Sequence, residues 1–169
     1  SPFTGNVTDG EQQGFVKEGK KDGSWVEYHN NGMLKSKANF KDGIKWDGFW
    51  EEYYNNGQLG IKVNYKDGEK DGLWESYYEN GNLEEKGNYK DGEKDGLWET
   101  FNEDGWLSVK TNFKDGKRDG LWERYYKSGQ LWMKENYKDG EKDDLWEWFW
   151  DNGQLRAKGN YKDGKEDGL

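Results

Sequence analysis

The sequence predicts an all-β fold: an elongated, single-layer antiparallel sheet of tandem β-hairpins, twisted and coiled along its length. Three observations predict it. Trp25, Trp50, Trp74, Trp98, Trp122 and Trp146 recur at steps of 25, 24, 24, 24 and 24 residues, a period typical of one supersecondary unit stacked on the next. Seven residues after each of them stands a glycine (Gly32, Gly57, Gly81, Gly105, Gly129, Gly153), preceded by Asn in four units, by Asp104 in one and by Ser128 in another. Asn-Gly between aromatic-rich runs is the strongest short-range hairpin signal. Finally, opposite charges recur at positions that such a turn would bring face to face, as set out below.

Each unit reads in the same order. A first strand is built around the Trp, as in LWESYY. A two-residue type I′ turn at Asn-Gly follows, and a second strand then runs from a leucine (Leu34, Leu59, Leu83, Leu107, Leu131, Leu155) to an aromatic six residues on (Phe40, Tyr65, Tyr89, Phe113, Tyr137, Tyr161). A KDGEKDG-type linker, with its own Asp-Gly turn chemistry, leads to the next unit. Hairpin units therefore start near residues 24, 49, 73, 97, 121 and 145 of a single repeat domain spanning 1–169, with a partial first unit at about 15–23 and a partial last unit at 162–169. One extra residue near Trp46 predicts a bulge in the second linker. Asp144 stands where other units have Gly72, Gly96 or Gly120, which predicts a distortion in the last complete linker.

A two-residue turn at Asn80-Gly81 pairs residues whose numbers sum to 161: Tyr78 with Leu83, Glu75 with Lys86 and Trp74 with Gly87. The same arithmetic sets Glu51 against Lys62, Glu99 against Lys110, Glu123 against Lys134 and Glu147 against Lys158. A wrong register would not keep opposite charges facing in five units of six; the first unit departs, with Val26 facing Lys37. Period-2 alternation then separates two faces. One, the Trp face, carries the repeated Trp, the turn-proximal Leu and the second-strand aromatic, with variable positions at Ser36, Ile61, Glu85, Val109, Met133 and Ala157. The other carries the Leu before each Trp, the Glu and Lys rows, and an Asn in the second strand. Both mix rings with charge, so neither reads as wholly buried.

Composition narrows the function. Only 30% of the chain is hydrophobic and its mean hydropathy is -1.44, yet 17% is aromatic, so apolar surface resides in a few large rings. A net charge of -9 argues against nucleic acid and anionic membrane surfaces and permits a basic protein partner. The chain has no cysteine, which excludes disulfides and thiolate metal sites. No apolar run reaches the ~18 residues of a membrane span. The sole histidine, His29, takes a place held elsewhere by Tyr54, Tyr78, Asn102, Tyr126 or Trp150 and reads as a strand-surface residue. The repeated Glu residues face Lys, an architectural use, whereas hydrolysis by paired carboxylates needs one singular pair. The Asp67-Gly68-Glu69-Lys70-Asp71-Gly72 loop is interrupted by Lys and reads as turn chemistry instead of a calcium loop. No catalytic residue, metal ligand or cofactor site emerges.

The rings that break the repeat are more informative. Trp46, Trp106, Trp132, Trp148 and Trp150 occupy places held by other residue types in most units. Trp148, Trp150, Trp146 and Met133 share the Trp face, and with Trp132 and Trp106 they form the candidate binding surface. The competing reading makes the extra rings of the last complete unit, Trp148 and Trp150, a cap on the end of the stack.

The runs GNYKDGEKDGLWESYYENGNL, GNYKDGEKDGLWETFNEDGWL and TNFKDGKRDGLWERYYKSGQL resemble the MORN-repeat variant of bacterial proteins, including antitoxins of the YwqK type. The resemblance covers essentially the whole chain from about Phe15. It implies a hairpin scaffold for protein or lipid contact and supplies no catalytic residue. The structural repeat would then consist of Trp74, Trp98 and Trp122, Gly81, Gly105 and Gly129, Leu83, Leu107 and Leu131, Tyr89, Phe113 and Tyr137, with the charge pairs Glu75 and Lys86, Glu99 and Lys110. The expected function is a non-enzymatic scaffold for a protein partner, with an antitoxin or immunity role as the version that the resemblance suggests. The alternatives are cell-wall carbohydrate or choline-type ligand binding through exposed rings, and a structural spacer. Open sheet ends also predict homodimerisation through a terminal strand.

Overall fold

The computed structural model describes residues 2–162 and 164–167. Among them are seventeen strands and no helix, joined in chain order as an open antiparallel sheet of tandem hairpins. The strands fall into two compact units. The first comprises Ser1–Asn82 with Tyr89–Gly92. It contains β1 (Gly5–Thr8), β2 (Gln12–Lys17), β3 (Lys20–Tyr28), β4 (Leu34–Lys41), β5 (Ile44–Lys45), β6 (Gly48–Tyr53), β7 (Leu59–Lys66) and β8 (Glu69–Tyr77). The second comprises Leu83–Asn88 with Glu93–Leu169. It contains most of β9 (Leu83–Lys90), then β10 (Glu93–Phe101), β11 (Leu107–Lys114), β12 (Lys117–Tyr125), β13 (Leu131–Lys138), β14 (Glu141–Lys142), β15 (Asp144–Phe149), β16 (Leu155–Lys162) and β17 (Lys165–Glu166). Residues 5–17 form a full hairpin of β1 and β2, where periodicity marks only a partial unit. Of the partial last unit, residues 163, 168 and 169 lie outside the described residues, and β17 pairs with β16.

Two turn types alternate, and their assignment corrects the sequence reading. The Asn-Gly turns are not type I′. In each, three residues close the loop, as where Tyr54 N–H donates to Gln58 O at 2.8 Å and Gly57 N–H to Tyr54 O at 2.9 Å. Only the glycine takes a positive φ (80° to 88° across the six turns, the Asp104-Gly105 and Ser128-Gly129 turns included), and the Asn, Asp or Ser before it does not. This is a type I turn closed by a glycine bulge. The Asn is there for its side chain: Asn56 Oδ1 accepts from Gln58 N at 2.9 Å and Asn31 Oδ1 from Met33 N at 3.0 Å, the Asx-turn bond. Type I′ geometry sits instead in the linkers, at Asp42-Gly43, Asp67-Gly68, Asp91-Gly92, Asp115-Gly116 and Asp139-Gly140. There Asp has φ 48° to 52° and Gly φ 74° to 93°.

The three-residue loop shifts the pairing by one, and a bulge on the second strand shifts it back. Tyr53 therefore faces Leu59, while Glu52 faces Ile61 and Glu51 faces Lys62 as expected. Tyr125 likewise faces Leu131 and Glu123 faces Lys134. The turn-proximal leucines thus lie with the Glu row and not on the Trp face. A second irregularity sits beside each linker, where Tyr65 faces Lys70 but Val63 faces Trp74. The second-strand Asn satisfies it: Asn64 Nδ2 donates to Asp71 O at 2.7 Å and Asn39 Nδ2 to Asp47 O at 3.1 Å. The extra residue of the second linker is absorbed here, with Trp46 N–H donating to Asn39 O at 2.8 Å between β5 and β6. Asp144 adopts φ 64° in place of the usual glycine, and its linker is broken into β14 and β15.

The core lies on the Trp face, which is more deeply buried than its mixed composition suggested. Each Trp and the residue opposite form one row. In the first unit it holds Trp25, Ala38, Trp50, Val63 and Trp74, and in the second Gly87, Trp98, Thr111, Trp122, Glu135, Trp146 and Gly159. Trp98 is 1% exposed and Val63 0%. Where the row offers a glycine, the neighbouring indole lies flat over it. A β-carbon on Gly14 would stand 2.2 Å from Trp25, one on Gly87 2.3 Å from Trp98, and one on Gly159 2.7 Å from Trp146. Trp25 Nε1 then donates to Phe15 O at 2.9 Å and Trp98 Nε1 to Asn88 O at 3.2 Å, one residue beyond the glycine in both cases.

Candidate functional site

The linker lysine, which the sequence reading weighed only as an interruption of the Asp-Gly loop, is built into the Trp face. Lys94 Nζ stands 3.6 Å from the Trp98 ring and 5.3 Å from Phe113; Lys21 stands 4.4 Å from Trp25 and 5.3 Å from Phe40; Lys45 stands 3.2 Å from Trp50 and 5.8 Å from Tyr65. Arg118 lies 5.7 Å from Trp122 and 5.4 Å from Tyr137, Lys142 lies 4.9 Å from Tyr161, and Lys70 lies 4.8 Å from Tyr89. Each repeat thus sets one of its own cations against the ring positions that the sequence marked as structural. Carboxylates complete several of these clusters: Lys21 with Glu27 at 2.7 Å, Lys94 with Glu85 at 3.3 Å and Lys142 with Glu135 at 2.8 Å. The signal was present in the sequence, as a Lys or Arg four residues before Trp25, Trp74, Trp98, Trp122 and Trp146. Beside Lys45 a cavity of about 270 Å³ opens between Trp25, Phe40 and Trp50, with Glu27 and Glu52 in its wall.

On the opposite face the charge rows hold hairpins together. Glu51 lies 2.6 Å from Lys37 of the preceding hairpin and 3.7 Å from Lys62 of its own. Glu99 likewise lies 2.8 Å from Lys86 and 3.4 Å from Lys110, and Glu147 lies 2.6 Å from Lys134. The facing register was read correctly, but the shorter contact reaches back one hairpin. Tyr53, Tyr77 and Tyr125 each donate to the Glu two residues before them, and Glu75 is the acceptor for Tyr77 at 2.9 Å.

These contacts dictate a pH profile. Burial alone would raise the Glu51 and Glu99 carboxyls; hydrogen bonds from Lys37 and Tyr53, and from Lys86 and Lys110, override it and hold both below the ordinary range. Burial and then the Glu75 bond push Tyr77 up to about 12, and Tyr125 rises for the same reasons beside Glu123. A depressed carboxyl stabilises the fold above its unfolded pKa, and that gain is lost as pH falls through the folded value. A raised phenol stabilises below its unfolded pKa of about 10 and loses the gain as pH rises. Urea midpoints should therefore form a plateau from about pH 5 to pH 9 and fall on both sides. Tyr77→Phe and Tyr125→Phe together should flatten the alkaline fall, and an unchanged alkaline limb would refute the assignment.

The turn edge is stapled too. Tyr54 OH donates to Tyr77 O at 2.7 Å and Tyr126 OH to Phe149 O at 2.9 Å; His29 Nε2 makes the equivalent contact to Tyr53 O at 2.8 Å. His29 therefore does a tyrosine's structural work.

Four of the five singular rings lie in the second unit; Trp46 lies in the first, where Lys41 Nζ stands 4.3 Å from its ring. Met133 faces Arg124 on one side and Trp148 on the other, and Trp148 faces Ala157, so β12, β13, β15 and β16 contribute one row. A second row nearer the turns holds Tyr126, Trp132, Trp150 and Arg156. Trp132 lies 6.1 Å from Tyr126 and 4.6 Å from the Arg124 guanidinium, and Arg156 stacks on Trp150 at 4.4 Å. Trp146 touches Trp148 at 5.6 Å and Tyr161 at 6.4 Å. Met133 is 8% exposed and forms the floor, whereas Trp148 and Trp150 are 39% and 48% exposed. Trp106 stands apart, at the turn between β10 and β11, where its backbone N–H donates to Asn102 Oδ1 at 3.1 Å. Sequence reasoning found the rings of this patch and missed its two arginines.

A tandem array of aromatic hairpins, closed by alternating Asn-Gly and Asp-Gly turns, defines a repeat protein. The protein-family model described as "MORN repeat variant" matches residues 21–42, 46–67, 70–91, 94–115, 118–139 and 145–163, and the chain belongs to that family. MORN repeats are generally non-catalytic scaffolds that bind proteins or membranes. A search of curated proteins finds no match. No helix among the described residues is long and apolar enough to cross a membrane.

Proposed function

We propose that this chain is a non-enzymatic interaction scaffold that binds a protein partner through the Trp face of its second unit, with Trp148 and Trp150 at the centre of the contact. The observation that carries the reading is the exposure of these two indoles over a buried methionine floor, beside two arginines. Solvent-exposed Trp clustered with Arg and Tyr is the composition of interface hot spots. A bound toxin would make the scaffold an antitoxin or immunity protein, the finer role that the family resemblance suggests. Self-association through a terminal strand would be a separate use of the sheet, read as a mass above that of the monomer in light scattering.

The test compares polypeptides retained from a lysate by the wild type and by a Trp148→Ala, Trp150→Ala double variant whose fold is verified by circular dichroism. A polypeptide held by the wild type and lost by the folded variant supports the proposal. Equal retention by both overturns it.

A further inference from the structure

The second unit holds all three arginines of the sequence, Arg118, Arg124 and Arg156. Among the described residues none of them makes an ion pair or a hydrogen bond; each is positioned by rings alone. This is unexpected in a chain with 35 acidic and 26 basic residues. The lysines around them behave otherwise: Lys94, Lys127, Lys134 and Lys142 all contact carboxylates. The acids near the patch have other partners too. Asp151 accepts from Ser128, Glu135 is held by Lys142 and Tyr137, and Asp104 by Lys127.

Arg124 and Arg156 flank the exposed rings. One lies over Trp132 and the other over Trp150, with Met133 and Trp148 between them. A guanidinium stacked on an indole keeps its N–H edge free in a fixed plane, which suits bidentate pairing with a carboxylate. Three strand spacings separate the two arginines, about 14 Å. An extended peptide covers that distance in about four residues.

We infer that the Trp148 and Trp150 patch receives an extended acidic segment of a protein partner, two of whose carboxylates pair with Arg124 and Arg156. This rests on the protein-binding reading above and reverses the expectation of a basic partner, which was drawn from net charge alone. The overall charge of -9 repels an anionic bilayer or a nucleic acid, whose charge extends far beyond the patch. A short peptide meets only the local field.

The experiment measures fluorescence anisotropy of three labelled twelve-residue probes, alternating Glu-Ser, Gln-Ser and Lys-Ser, together with sedimentation against phosphatidylserine vesicles. The full chain and its Arg124→Gln, Arg156→Gln variant are compared, with Arg118→Gln as a control outside the two rows. We expect the Glu-Ser probe to bind in a salt-sensitive way, the Gln-Ser probe at least about tenfold more weakly, and the double variant to lose that difference while the control keeps it. Preference for the Lys-Ser probe, binding to vesicles alone, no binding of the Glu-Ser probe, or undiminished binding by the double variant would each overturn the inference. Retention of a basic polypeptide in a Trp148- and Trp150-dependent manner would leave the scaffold function standing while removing the acidic partner.

Discussion

Trp98→Ala should lower the free energy of unfolding by about 3–5 kcal/mol, the cost of emptying a large buried aromatic site, and should change the sign of a second substitution. Trp98 is 1% exposed, carries Lys94 on its face at 3.6 Å and lies edge-on to Phe113 at 6.1 Å. Its ring occupies the space above Gly87, where a β-carbon would approach to 2.3 Å. In the wild type, Gly87→Ala must displace the indole and lose its bond to Asn88 O, an overpacking cost of about 1–3 kcal/mol. In the Trp98→Ala background that obstacle is gone. Alanine then has the ordinary advantage over glycine inside a strand, about 0.5–1 kcal/mol, so the same change becomes stabilising. Urea titration of the four proteins of the cycle reads the coupling directly. An equal penalty for Gly87→Ala in both backgrounds would show that the indole does not depend on the glycine.

The second large effect concerns Glu135, 4% exposed between Trp122 and Trp146. Lys142 Nζ approaches its carboxylate to 2.8 Å and Tyr137 OH to 3.1 Å. Burial would lower the Lys142 pKa, but the Glu135 bond and charge outweigh it and hold the amine above its ordinary value. Removing one partner of a buried pair costs about 3–5 kcal/mol. Because about a third of the Lys142 side chain is exposed, Lys142→Met should cost nearer 2–4 kcal/mol. Val63 shows what the row accepts at the equivalent place, fully buried beside Trp74. Glu135→Val added to Lys142→Met should therefore restore most of the loss, as replacing both members of a buried pair by apolar groups often does. A double variant no more stable than Lys142→Met would show that the carboxylate is not left stranded in the single variant.

Much of the fold was legible because a repeat states each constraint several times. The Glu and Lys rows determined the register from Glu51 and Lys62 through Glu147 and Lys158, and the Trp positions determined the period. The turns misled because Asn-Gly and Asp-Gly both suit positive φ, and sequence alone does not say which pair uses it. At Asn56-Gly57 a three-residue loop and a compensating bulge leave the distant register unchanged, so charge pairing could not expose the error. Only Leu59, moved to the other face, reveals it. The direction in which each indole leans was also hidden, since it depends on whether Gly, Ala, Val, Thr or Glu stands across the row. At the candidate site the aromatic breaks in the repeat identified Trp148 and Trp150. Arg124 and Arg156 went unread because unpaired guanidinium groups become visible only once every nearby carboxylate has been traced to another partner.

The staples between hairpins have a consequence for the size of the molecule. Tyr54 reaches Tyr77, Asn31 reaches Asn55 and Gly116 reaches Lys94; within each unit these bonds join one hairpin to an adjoining one and no further. Cohesion of this kind is one-dimensional, a chain of nearest-neighbour couplings without a central nucleus. Duplicating or excising a whole 24-residue period inside a unit would leave every surviving junction chemically intact, so reach could be altered by gene duplication without redesigning the fold. The same economy means that opening should begin at exposed strand edges and advance a hairpin at a time, with hydrogen exchange graded along the array.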